Sequence, residues 1–118
     1  MSLSKSSPAN IFDIYIKIHK DYITFFQKHN LDLEVVERMM YAQYYSAVNK
    51  TLFNSQLSSK EKQKILDKAF EKREVREAFQ RKQTNKTVAI INVLMLGGAY
   101  KTAKILLQVS ILKERIKT

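Results

Sequence analysis

The sequence predicts an all-α fold of four to five helices: an antiparallel helical hairpin, then a charged helix, then two apolar C-terminal helices. Three observations predict it. Apolar side chains recur at intervals of three and four along most of the chain, the repeat of a helix with one buried face. Turn formers are scarce, with two glycines and one proline in 118 residues, far fewer than a β-rich fold of this length needs. The punctuation that does occur is helical, with capping residues ahead of apolar runs and glycine behind one of them.

Ser7-Pro8 opens the first helix, because serine caps and proline at the first helical position loses no needed donor. Ile11, Tyr15, Ile18, Tyr22 and Phe25/Phe26 form its expected inner face, with Asp13, Lys17, Lys20 and Asp21 on the others. It runs to about Lys28 and leaves through His29-Asn30. Residues 1–7, polar and serine-rich, are expected to be a disordered lead-in, and residues 8–118 a single helical domain. Asp32 caps the second helix and Glu34 sits in its acidic first turn. Val36, Met39/Met40, Ala47, Val48 and Leu52 face inward with Tyr44 alongside, ending near Asn54-Ser55. The short connection makes helices one and two an antiparallel pair.

Ser58-x-x-Glu61 has the form of a capping box and starts a third helix carrying Ile65, Leu66, Ala69 and Phe70. From Lys68 to Lys82 the chain is heavily charged, with only Val75, Ala78 and Phe79 apolar, and reads as a continued or kinked surface helix. Glu71, Glu74 and Glu77 interleave there with Lys72, Arg73, Arg76 and Arg81 at ion-pair spacing. Thr84-Asn85 caps the next element, and Val88 to Leu96 is nearly continuous apolar sequence, expected as a buried helix closed by Gly97-Gly98. The last helix, from about Ala99 to Ile116, carries two apolar stripes. Ile105, Val109, Leu112 and Ile116 form one; Tyr100, Ala103, Leu107 and Ile111 form the other. Such a helix packs between two elements, or keeps one stripe for something outside the chain.

The chain has no cysteine, which excludes disulfide frameworks, zinc ribbons and thiol catalysis and fits a cytoplasmic location. His19 and His29 are ten residues apart with no metal-ligand pattern around them, and both are expected at the surface or a helix end. There is no Gly-rich phosphate loop and no Gly-x-Ser-x-Gly elbow. Tyr41, Tyr44 and Tyr45 read as core and rim of the second helix rather than as a stacking platform. No catalytic, cofactor-binding or metal-binding residue is assigned.

Charge is the informative quantity. The formal net charge is +10, of which residues 1–57 carry +1 and residues 58–118 carry +9. That asymmetry points to a partner of negative charge. The candidate contacts to an anionic surface are Arg81, Lys82, Lys86, Lys101, Lys104, Lys113, Arg115 and Lys117. Apolar stripes with flanking lysines suit an anionic membrane or a partner helix better than base edges, which polar side chains read.

The order of features adds a resemblance. Leu57-Ser58-Ser59-Lys60-Glu61-Lys62 precedes the charged run Phe70 to Phe79, which is followed by the apolar segment Tyr100 to Leu107 and the basic end Lys113 to Lys117. This resembles the C-terminal helical extension of bacterial family-2 glycosyltransferases, the enzymes that build surface polysaccharides, and covers nearly the whole chain. The resemblance implies a fragment of a larger enzyme. Its missing α/β catalytic domain would hold a divalent metal and a nucleotide-sugar through an Asp-x-Asp motif, so no catalytic residue carries over. The implied role is to dock on that catalytic domain or at the inner membrane face, as a cytoplasmic, peripheral element. The alternative is a stand-alone basic helical module that binds nucleic acid or an acidic protein. The spare stripe is also a candidate homodimer seam.

Overall fold

The computed structural model describes residues 8–117, with side chains from Asn10 to Leu112. The described residues form six helices and no strand: α1 (Pro8–Lys28), α2 (Leu33–Leu52), α3 (Ser59–Phe70), α4 (Arg73–Phe79), α5 (Lys86–Leu96) and α6 (Tyr100–Lys117). The all-α class is as expected. The sixth helix arises because the charged segment breaks at Glu71-Lys72, where Glu71 N–H bonds back to Asp67 and Lys68 and Lys72 N–H to Ala69. The expected Ser7 cap and the 1–7 lead-in lie outside the described residues. The chain divides into two compact units, Met1–Ala78 and Phe79–Thr118.

In the first unit, α1 and α2 pair as the predicted hairpin. Asn30 takes φ 56°, and the exit closes with Leu31 N–H to Phe26 O at 2.8 Å and Asn30 N–H to Gln27 O at 3.2 Å. These are the two bonds of a Schellman stop, and asparagine is the non-glycine residue that tolerates this left-handed position best. Asp32 then caps α2 through Glu34 N–H at 3.0 Å. The capping box of α3 is complete: Glu61 N–H donates to Ser58 Oγ and Ser58 N–H to Glu61 Oε1.

Helix α1 is turned from the expected face. Its buried side chains are Phe12, Ile16 and His19, while Ile18, Tyr22 and Phe25 are exposed and Ile11 and Tyr15 are part-buried. The buried line sits one residue on, about 100° around the helix. On α2, Val36, Met40, Tyr44, Ala47, Val48, Thr51 and Leu52 are buried, but Met39 is not. The charged segment is no mere surface helix, since Val75, Ala78 and Phe79 are fully buried. Three apolar residues at intervals of three and one suffice to fix one face of a seven-residue helix.

In the second unit, α5 and α6 are joined by Gly97-Gly98-Ala99. Gly98 takes φ 82°, with Gly98 N–H to Met95 O at 3.1 Å and Ala99 N–H to Leu94 O at 2.8 Å, a second Schellman stop. The apolar run of α5 reads as a buried helix, and it is buried only in part. Its buried residues are Ile91, Asn92 and Met95, whereas Ile90 is exposed and Val93 is 68% exposed.

Candidate functional site

The basic C-terminal half resolves into two lysine-headed lines. Asn85 caps α5 with its Oδ1 accepting from Thr87 N–H at 2.9 Å and Val88 N–H at 3.2 Å. Lys86 is therefore the first helical residue, and steps of four and three place Ile90 and Val93 on its side of the helix. All three are exposed. On α6, Tyr100, Ala103 and Leu107 are buried and hold the helix in place. Lys101 begins the other line, and Ile105 (59% exposed), Val109 and Leu112 follow at steps of four, four and three. The two stripes read from the sequence thus have different fates. The Tyr100 stripe is core, except that Ile111 at its end is exposed; Ile105, Val109 and Leu112 of the other stripe face outward, and its Ile116 lies outside the described side chains.

Both lysines stand where the helix dipole is already positive. Lys86 and Lys101 lie in first turns that contain no acidic residue, the reverse of the charge order helices favour. The arrangement concentrates positive potential at two helix starts, beside uncovered isoleucine, valine and leucine.

The other candidate cations divide. Lys82 is exposed in the segment between α4 and α5. Arg81 and Lys104 are part-buried and already engaged within the chain, so neither is a free surface cation. Lys113, Arg115 and Lys117 lie in the last turns of α6, and their side chains fall outside the described residues.

Sequence reasoning missed a polar cluster inside the first unit. His19, expected at the surface, is 4% exposed. Its Nδ1 is 3.0 Å from Tyr44 Oη and its Nε2 3.1 Å from Glu37 Oε1. With the proton on Nε2, the ring donates to the Glu37 carboxylate and accepts from the Tyr44 hydroxyl, so all three groups are satisfied at once. Burial pushes the Tyr44 phenol well above its ordinary range, and the carboxylates of Glu74 and Glu37 push the same way. Burial likewise raises Tyr45, helped by Tyr41 and opposed by a hydrogen bond from Asn49. A His between a phenol and a carboxylate has the parts of a proton relay, but its enclosure makes this set a bridge that ties α1 to α2. The signal was present in the sequence, since His19 continues the Phe12–Ile16 line at a step of three.

Among the described residues no group of three or more His, Asp or Glu is placed to hold a metal ion. Nor, among the described residues, is any helix long and apolar enough to cross a membrane. Compared with known proteins, the chain matches no family model, no curated protein and no solved structure.

Proposed function

We propose that this chain is a non-catalytic helical accessory domain whose α5–α6 hairpin lays its outward lines on an anionic membrane surface. The observation that supports this is the pair of exposed lines, Lys86–Ile90–Val93 and Lys101–Ile105–Val109–Leu112. Magnitudes assign the labour. Each lysine near an anionic surface contributes about 1 kcal/mol. Sinking an isoleucine or leucine side chain into the acyl boundary contributes up to about 2 kcal/mol. Five apolar side chains against two lysines means that insertion supplies most of the affinity and charge selects the lipid. Placement of the domain at the end of a polysaccharide-building glycosyltransferase rests on the order of features from Leu57 to Lys117.

Two experiments test the two parts. In sedimentation with vesicles at low salt, the chain should pellet more strongly with phosphatidylglycerol-containing vesicles than with phosphatidylcholine alone. Equal binding to both ends the anionic part of the reading, and binding to neither ends the membrane reading. Sequencing the native gene upstream of the Met1 codon tests the glycosyltransferase reading. A frame that continues into an α/β domain with an Asp-x-Asp motif supports it, and a stop codon there removes it.

A further inference from the structure

Residues 80–85, between α4 and α5, lie outside any helix and follow the boundary of the two compact units. Their backbone is weakly held. No N–H of Lys82, Gln83, Thr84 or Asn85 donates to a backbone carbonyl. Gln83 Nε2 does donate to Arg81 O, but at 3.4 Å. The other connections are tied down. Leu31 N–H bonds to Phe26 O after α1, Leu57 N–H to Asn54 O before α3, and Ala99 N–H to Leu94 O before α6. The connections also differ in what they carry. Lysine or arginine occurs in only two of them, as Lys72 between α3 and α4 and as Arg81-Lys82 here. Lys72 is fixed at both ends, its N–H on Ala69 O and its carbonyl on Arg76 N–H, each at 3.1 Å. Arg81 is part-buried and engaged within the chain, whereas Lys82 is exposed.

We infer that the Lys82–Gln83 peptide bond is the chain's cleavage site for an endopeptidase that selects a basic residue on the acyl side. Such an enzyme takes its substrate as an extended strand, through backbone hydrogen bonds, with the preceding side chain in a pocket. A helix has those backbone groups occupied and must unwind first, so cutting falls where the backbone opens at least cost. Only here do an unbonded backbone and a free, exposed lysine coincide among the described connections. Hydrolysis consumes one water: the Lys82 carbonyl carbon takes the hydroxyl and the Gln83 nitrogen takes the proton. The cut leaves every helix whole, with α1 to α4 on residues 1–82 and α5 and α6 on residues 83–118. The second piece keeps both lysine-headed lines and carries six basic side chains and one acidic. Cleavage thus severs the basic hairpin from the rest of the chain, an irreversible control on whatever that hairpin binds. It depends on local backbone geometry alone and would occur whether or not the hairpin binds lipid.

Limited digestion of the full chain with trypsin, read by intact mass, tests the inference. The chain offers 21 lysines and arginines, so the position of the first internal cut is informative. Fragments 1–82 and 83–118 should appear together, before any cut within 10–80 or 86–112. Lys82→Gln should slow the first cut by about tenfold or more, because the protease pocket loses its cation. Gln83→Pro should slow it as much, since proline fixes φ and brings no N–H to the new amine side. Neither change removes a backbone hydrogen bond, and circular dichroism should show unaltered helicity. A first internal cut inside a helix or at Lys72 overturns the inference. So does a cut in 80–85 whose rate is unchanged by Lys82→Gln, which would place it after Arg81. A chain that resists trypsin until urea unfolds it also overturns the inference.

Discussion

His19 shows how one side chain is read wrongly when residue type outweighs position. Residue type alone places a histidine on the outside of an amphipathic helix and the longer Ile11–Tyr15–Ile18–Tyr22 line on the core face. The structure buries the shorter line because His19 finds two partners across the hairpin, which removes the cost of enclosing an imidazole. His19→Ala should therefore do more than open a small cavity. It strands the Tyr44 hydroxyl and leaves the Glu37 carboxylate without its donor, and should destabilise the chain by about 2–3 kcal/mol in urea unfolding. Tyr44 adds a pH signature. Its phenol is held above the ordinary value by burial first, then by Glu74 and Glu37. The protonated form is the one the fold prefers. Its stabilisation is complete below the unfolded phenol value of about 10 and is lost as pH rises through the higher folded value. In an alkaline absorbance titration of the six tyrosines, Tyr44 should ionise last, and together with unfolding.

At the scale of the element, starts and stops were legible because they depend on a few adjacent residues. Asp32, Ser58 with Glu61, and Asn85 all cap as their spacing indicates. Which face turns inward was less legible, because that depends on residues distant in the chain. The paired glycines make the point locally. Gly98 has φ 82° and open space where a Cβ would stand, so the penalty for a side chain there is backbone strain alone. Gly97 has φ −86°, and an added Cβ would meet only carbonyl oxygens at ordinary contact distance, 3.5 and 3.8 Å. Gly98→Ala should cost about 1 kcal/mol. Gly97→Ala should be neutral or should stabilise by up to about 1 kcal/mol by restricting the unfolded chain. Thermal melts of the two single variants should move in opposite directions, or one should not move at all.

For the whole molecule, the sequence carried the class, the number of helices to within one or two, and the imbalance of charge between its halves. The candidate surface was half legible. Two stripes on α6 could be seen, but not which one the core would take, since that depends on how α5 presents Ile91 and Met95. The division into two compact units could not be seen, because its boundary falls within α4, between two buried residues. Raised ionic strength should remove the lysine contribution to vesicle binding, and with it the preference for anionic lipid, while insertion of the apolar lines persists.

The lysines at the starts of α5 and α6 carry a further consequence, a conflict between endurance and use. Each opposes the dipole of its own helix, so the chain tolerates local frustration at two places where a glutamate would calm it. Lys86→Glu should raise the melting temperature by roughly 4 °C, the equivalent of about 1 kcal/mol in a domain of this size. The same change should abolish the preference for anionic over neutral vesicles. A variant that becomes hardier as it becomes idle would mark Lys86 as a residue retained for work rather than for folding.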